Sequence, residues 1–126
     1  MAQNIKESLV NSLRMQRRSA GLSQTQLGQM LGYSDETAVA KHEHFESIPP
    51  FLTALGYEAI FQIHASKLFA GLKETVAIGV ELRVSDFERN LRARYEASPS
   101  PELSRTLEWL EERRANLEFF NHRANA

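Results

Sequence analysis

Apolar residues recur along the chain at the spacing of α-helices, and no stretch alternates in the way that half-buried strands do. In residues 3–20, the side chains of Ile5, Leu9 and Leu13 form a stripe with a period near four, and Gly21 is a suitable residue to end that helix. Similar stripes follow along the rest of the chain. The pattern predicts an all-α protein.

A short helix is predicted over about residues 24–31. Ser23 can accept a hydrogen bond from the backbone N–H of Gln26, and the Gln26 side chain can return to the backbone of Ser23, which is a capping box. Gly32 is expected to end this helix. Its predicted buried residues are Leu27, Met30 and Leu31.

Two further helices are predicted before residue 62. After the turn 32–34, Asp35 is expected to cap a helix over about 36–44, and the segment Ile48-Pro49-Pro50 ends this region. A helix over 51–61 follows, and then a short piece over about 65–69. The core residues expected on the 51–61 helix are Phe51, Leu52, Leu55, Ile60 and Phe61.

The sequence predicts long amphipathic helices in the C-terminal part of the chain. From residue 72 an apolar stripe runs through Leu72, Val76, Val80, Val84, Phe87, Leu91 and Tyr95. Ser85 and Glu88 form another capping-box pattern, so the sequence leaves open whether one helix or two cover 72–96. Ser100 and Pro101 then start a last helix. Its apolar residues are Leu103, Leu107, Leu110, Leu117 and Phe120, with Trp109 beside them, and Glu111 to Arg114 are interpreted as a solvated face.

Composition excludes several classes of protein. With 126 residues and 42% hydrophobic content, the chain suits one domain with an appendage. No apolar run approaches the ~18 residues of a membrane span, and no secretory signal is recognised, so we expect no membrane partner. Cysteine is absent, which removes disulfides and thiolate chemistry and fits a cytoplasmic location.

Enzymatic and metal-dependent functions are not expected. The sequence contains no glycine-rich phosphate loop and no nucleophile elbow. His42 and His44 are two residues apart and would point to different faces of a helix, so His42 is interpreted as a core residue rather than a metal ligand. No cofactor is implied.

The charge balance does not by itself indicate nucleic acid, because the formal net charge is only −1. The densest basic cluster in the first third is Arg14, Arg17 and Arg18. These side chains are expected either to contact phosphates or to form a solvated helix face, and Arg17 and Arg18 cannot both point the same way.

Two short helices joined by a glycine-containing turn, after a longer helix, are typical of a helix-turn-helix. The segment A-G-L-S-Q-T-Q-L-G-Q-M-L-G (20–32) resembles the opening of the phage-repressor-like (Cro/repressor, xenobiotic-response-element type) helix-turn-helix family. V-A-K-H-E (39–43) is similar to the V/I-S-R-Y/W-E of that family. Residues 48–72 resemble a subgroup that reads close to L-P-S-L-E-T-A-L-A-L-E-A-I-F in its first part. The resemblance covers about residues 9–75.

The chain departs from the family pattern at several positions. Gly28 replaces a small alanine, at some cost in helix propensity, and the turn is one residue longer than the commonest version. His42 replaces a core aromatic residue, and Phe45 stands where the family often has glycine. The longer turn leaves the register of the second helix open by one position.

The resemblance implies a five-helix repressor-like domain over 1–75. Residues 76–126 lie outside the family core, and their apolar pattern predicts a helical extension. The resemblance also implies that Gln24 contacts a phosphate at the start of the first short helix, and that Val39 and His42 face inward. The residues expected to face DNA from the second helix are Glu36, Thr37, Ala40, Lys41 and His44. Arg14, Arg17 and Arg18 could add phosphate contacts.

The function implied is sequence-specific binding of double-stranded DNA by a transcriptional regulator of bacterial or phage type, expected to be a repressor that acts by operator occupancy. The surplus apolar helices of 76–126 predict a homodimer. The alternative is a protein-interaction module, such as an antitoxin-like partner, whose C-terminal helices hold another protein and whose DNA binding is secondary or lost.

Overall fold

A computed structural model describes the backbone of residues 12–125 and the side chains of residues 12–122. Within these residues the chain forms helices and no strands, so the all-α prediction is confirmed there. The helices are α1 (residues 12–19), α2 (Gln24–Met30), α3 (Thr37–His44), α4 (Phe51–Phe61), α5 (Ala65–Leu68), α6 (Ala70–Ala97) and α7 (Pro101–Asn125). The predicted stripe through Ile5 and Leu9 lies outside the described residues.

The chain divides into two compact units, Met1–Ala77 and Ile78–Ala126, with the boundary inside α6. α6 is one continuous helix from Ala70 to Ala97, which settles the alternative left open by the sequence. Ser85 therefore lies within a helix and does not start a new one. Among the described residues, no helix is both long enough and apolar enough to cross a membrane.

The first unit is built around one cluster of buried side chains to which α1 to α5 and the residues around them contribute. Its members are Leu13, Leu27, Val39, Phe45, Tyr57, Leu68 and Phe69. Four core predictions are wrong, because Met30, Phe51 and Leu52 are at least 50% exposed and Leu55 is 38% exposed. The inward face of α4 is instead centred on Tyr57, which the sequence did not single out, and Phe51 and Leu55 lie on the opposite side of the helix.

The predicted helix ends are largely confirmed. The Ser23 hydroxyl accepts the backbone N–H of Gln26 at 3.0 Å, and the Gln26 side chain accepts the N–H of Ser23 at 2.9 Å. The backbone of Gly32 has φ +93°, a left-handed conformation that favours glycine. Asp35 accepts the N–H of Thr37 at 2.9 Å, which lowers the pKa of its carboxyl group. The second helix thus begins at Thr37, and Glu36 occupies the cap position.

The second unit contains the C-terminal part of α6 and α7, which pack through Leu91, Leu107 and Leu110. Glu81 binds Arg113 and Glu88 binds Arg114, so these arginines pair with α6 and do not merely form a solvated face. Each arginine lowers the pKa of the glutamate that it binds. Several apolar residues of the predicted C-terminal helices are exposed: Val76 in the first unit, and Phe87, Trp109 and Phe120 in the second.

Candidate nucleic-acid interface

The turn between α2 and α3 lies directly against α2 at Gly28. The N–H of Tyr33 donates to the carbonyl of Gly28 at 2.8 Å. A Cβ atom at residue 28 would lie only 2.6 Å from the carbonyl oxygen of Asp35, closer than real Cβ contacts. The glycine is therefore a packing requirement of this turn, and its low helix propensity is a secondary matter.

The inner face of α3 is fully covered. Val39 and Glu43 have no exposed surface, and 3% of His42 is exposed. Val39 and His42 were both predicted to face inward, and this is confirmed. α3 ends at Phe45, whose backbone is left-handed with φ +54° and whose ring is buried in the core. Helices often end at a glycine in this conformation, and here Phe45 adopts it instead.

A buried ion pair fixes α3 to α1. Arg17 Nε donates to Glu43 Oε2 at 2.6 Å, and Nη2 donates to Oε1 at 3.1 Å. The remaining amino group of Arg17 donates to the carbonyl of Leu22 at 2.8 Å, in the connection between α1 and α2. The prediction that Arg17 contacts phosphate, or lies on a solvated face, is therefore wrong. Its guanidinium is buried and is already bound to a carboxylate and a carbonyl.

Gln24, the predicted phosphate contact at the start of α2, joins the same cluster. Its side-chain amide donates to Glu43 Oε1 at 3.1 Å, and the residue is half-buried. Glu43 is thus the common acceptor for side chains of α1 and α2, and Arg17 links it to the connection between these helices. The sequence carried a partial signal for it, because Glu43 lies four residues after the inward-facing Val39 and therefore on the same side of α3. The phosphate contact of Gln24 stays a prediction.

A second polar contact supports α3 from the side of α4. His42 Nδ1 lies 2.8 Å from the hydroxyl oxygen of Tyr57, and the edge of the Tyr33 ring approaches His42 with centroids 6.4 Å apart. The Tyr33 hydroxyl in turn lies 3.3 Å from that of Thr53. Burial lowers the pKa of His42 and raises the pKa of Tyr57, so both side chains are neutral at pH 7.

The neutral state of His42 predicts a loss of stability in acid. Because its folded-state pKa lies below the ordinary value of 6.5, the unfolded chain takes up a proton first as the pH falls through 6.5. Above pH 6.5 the contribution of neutral His42 to the free energy of unfolding is fully present. It declines as the pH falls from 6.5 towards the folded-state pKa. Urea denaturation at pH 7.5 and pH 5.5 should show a smaller drop in midpoint for His42→Gln than for the wild type.

The matched control is His44→Gln, since His44 lies two residues away on the exposed side of α3. This variant retains His42, so its stability should still fall between pH 7.5 and pH 5.5. An equal pH dependence of wild type and His42→Gln would show that His42 does not titrate differently in the folded and unfolded chain.

The outer face of α3 carries the side chains that were predicted to face outward. Thr37, Lys41 and His44 are exposed at spacings of four and three residues, so they share one side of the helix. Glu36 is exposed just before the helix, and Ala40 is half-buried. Of the α1 arginines other than Arg17, Arg14 is half-buried and Arg18 is exposed. Their roles in DNA binding stay predictions.

This surface offers hydrogen-bonding groups and charge. Hydrogen bonds to acceptors in a groove that admits one helix can be donated by the hydroxyl of Thr37, the ammonium of Lys41 and the imidazole of His44. Within the part of the chain that the structure describes, no group of three or more histidine, aspartate or glutamate side chains is arranged to hold a metal ion.

Comparison of the chain with family models, with curated proteins and with solved structures finds no match.

Proposed function

We propose that the chain is a sequence-specific DNA-binding protein of the phage-repressor-like helix-turn-helix type, with α3 as the helix that enters the major groove. The observation that carries this proposal is the division of α3 into two faces. Val39, His42 and Glu43 are buried against the core, whereas Thr37, Lys41 and His44 are exposed along the other side. A reading helix needs both properties, because its position must be fixed while its polar side chains reach base edges.

The rigidity of α3 supports the proposal further. Glu43 is held by Arg17 and Gln24, and His42 is held by Tyr57, so contacts from α1, α2 and α4 fix the same helix. A reading surface that is fixed before binding does not have to be ordered during binding. The mechanism proposed is occupancy of an operator, with a repressor role as the expected outcome.

The acidic residues before α3 fit this proposal in different ways. The Asp35 carboxylate accepts the N–H of Thr37 and so serves the helix start, where negative charge is favourable. Glu36 makes no cap hydrogen bond and is exposed, so it can accept from a cytosine amino group. Lys41 can donate to guanine or phosphate. Few charges lie on α3 itself, so other elements or a second subunit must supply part of the affinity.

The DNA sequence can be identified by selection from a random pool with the purified chain. With the selected duplex, Lys41→Ala should weaken binding by roughly 1–3 kcal/mol and relax the preference at one base position, if Lys41 meets a guanine. Fluorescence anisotropy on the selected duplex and on its single-base variants measures both effects. Affinity should also fall as salt rises, with a slope of about −0.9 per phosphate contact.

Arg105→Ala is the control for a general loss of positive charge, because Arg105 is exposed on α7 in the second unit. It should leave base preference unchanged. If selection enriches no sequence and no duplex binds at low salt, the DNA-binding proposal is wrong. If Lys41→Ala binds every variant duplex as the wild type does, Lys41 does not contact the bases.

The exposed aromatic residues Trp109 and Phe120 on α7 favour the alternative, a protein-interaction module. They lie along one side of the helix with Arg113, Asn116 and Leu117. Under this alternative the chain co-purifies with a second polypeptide and retains no duplex at low salt.

A further inference from the structure

α4 is unusual because its exposed side is apolar, while its few polar side chains are at least half-buried. Its polar residues, Thr53, Tyr57 and Glu58, are at least half-buried, and all three have hydrogen-bond partners within the first unit. The opposite side of the helix carries Phe51 and Leu52, which are 75% and 79% exposed. Helices that are apolar on both sides are usually buried on both sides.

We define the outer face of α4 as Ile48, Phe51, Leu52, Leu55 and Ala59. Phe51 and Leu52 precede Leu55 by four and three residues, and Ala59 follows Leu55 by four, so the four side chains form a continuous strip. Ile48 is exposed and precedes the helix by three residues. No member of the strip carries a side-chain hydrogen-bond donor, acceptor or charge.

Charged side chains are sparse along the strip. From Ile48 to Gln62, the ionisable side chains are Tyr57, which is buried, and Glu58, whose carboxylate accepts the N–H of Ala65 at 2.8 Å. This stretch therefore contains no cation that could bind a phosphate backbone. Two copies of this face, in contrast, can meet without bringing like charges together, although the chain has a net charge of −1.

The area is sufficient for a small symmetric interface. Each strongly exposed side chain of the strip can remove on the order of 100 Å² from water, so two copies would bury roughly 1,000 Å² together with their rims. That is the lower limit for a specific interface. Ordinary protein surfaces expose apolar residues singly, whereas the outer face of α4 exposes several next to one another.

We propose that the outer face of α4 binds the same face of a second copy of the chain, in an isologous homodimer. A two-fold axis beside Leu52 and Leu55 places Phe51 and Leu52 of one copy against the partner's Leu55, and the reverse contact follows by symmetry. The proposal does not depend on DNA binding, and it assigns dimerisation to the first unit and not to the extension over 76–126.

A matched pair of substitutions tests the assignment. Leu52→Glu places a charge in the strip, and Leu82→Glu places the same charge on a leucine that is 66% exposed in the second unit. Analytical ultracentrifugation of the full chain should give twice the 14.3 kDa chain mass for the wild type and for Leu82→Glu, and the chain mass for Leu52→Glu. Circular dichroism should show equal helix content in all three, since both leucines are exposed.

Cross-linking gives a second measurement that does not require a disruptive change. The chain has no cysteine, so Leu52→Cys and Leu82→Cys each introduce a single thiol. A short bis-maleimide should convert Leu52→Cys largely to a covalent dimer and leave Leu82→Cys mostly monomeric.

A monomeric wild type overturns the proposal, and so does a Leu52→Glu variant that remains dimeric. A dimer lost in Leu82→Glu but kept in Leu52→Glu would move the interface to the extension. A wild-type monomer that still binds its selected duplex would leave the DNA-binding proposal intact while removing this one.

Discussion

Arg17→Met is expected to destabilise the first unit by about 3–5 kcal/mol, because it leaves the carboxylate of Glu43 buried without its cation. The loss also removes the hydrogen bond to the carbonyl of Leu22, which ties down the connection between α1 and α2. Methionine keeps most of the side-chain volume, so the change tests the charge more than the packing. Urea denaturation followed by circular dichroism measures the free energy of unfolding.

Arg18→Met is the matched control, since the neighbouring arginine is exposed and should change stability by less than about 0.5 kcal/mol. The double variant Arg17→Met/Glu43→Leu removes both charges and should recover much of the loss, because replacing a whole buried pair with apolar residues is often neutral. Equal effects of Arg17→Met and Arg18→Met would mean that the pair contributes little. A double variant no more stable than Arg17→Met would assign the loss to packing.

Gly28→Ala is expected to destabilise the first unit by about 3 kcal/mol, the upper end for overpacking. The added Cβ would meet the carbonyl oxygen of Asp35 at 2.6 Å, and this atom belongs to the backbone of the turn and cannot rotate away. The turn must shift, and it carries the Asp35 cap of α3 with it. Helix propensity alone predicts the opposite sign, a gain of about 1 kcal/mol. Urea denaturation therefore distinguishes the two effects by sign.

Gly79→Ala provides the same substitution in a different setting. Its Cβ would lie 3.3 Å from a terminal nitrogen of Arg83, whose exposed side chain can move. This variant should be stabilised by roughly 0.5–1 kcal/mol, since glycine costs that much inside a helix. If both variants are stabilised, the contact between the turn and α2 is looser than the structure has it.

Helix boundaries in the first unit were predictable because they depend on local chemistry. Ser23 and Gln26 form their capping box within four residues, and Asp35 reaches the N–H of Thr37 within three. Neither contact requires the rest of the fold. The second short helix was placed within one residue at its start for the same reason.

Burial was less predictable, because it depends on which side of a helix meets its neighbours. α4 is apolar nearly all round, so its sequence does not show which side is inward, and Phe51 and Leu52 were assigned to the core where Tyr57 belongs. Two polar pairs set the inward side of α4: Tyr57 pairs with His42, and Thr53 pairs with Tyr33. Those pairs join residues that are 15 and 20 positions apart, which no helical period reveals.

The sequence predicted which side of α3 is exposed, but not the buried contacts that hold α3 in place. The exposed positions of Thr37, Lys41 and His44 follow from the inward positions of Val39 and His42 by helix geometry alone. Arg17 was misassigned because an arginine beside another arginine resembles a phosphate-binding cluster in sequence. Its true partner, Glu43, is 26 residues away.

The position of Trp109 has a practical consequence for optical spectroscopy. It is the single tryptophan of the chain and lies on α7 in the second unit, whereas Tyr33 and Tyr57 lie in the first. Emission excited at the red edge of the indole band therefore observes the α7 environment alone. Tyrosine absorbance reports on both units, because the third tyrosine, Tyr95, lies on α6 in the second unit. Comparing tryptophan emission with circular dichroism, which follows the helices of both units, during denaturation measures whether the units melt together, with no label attached.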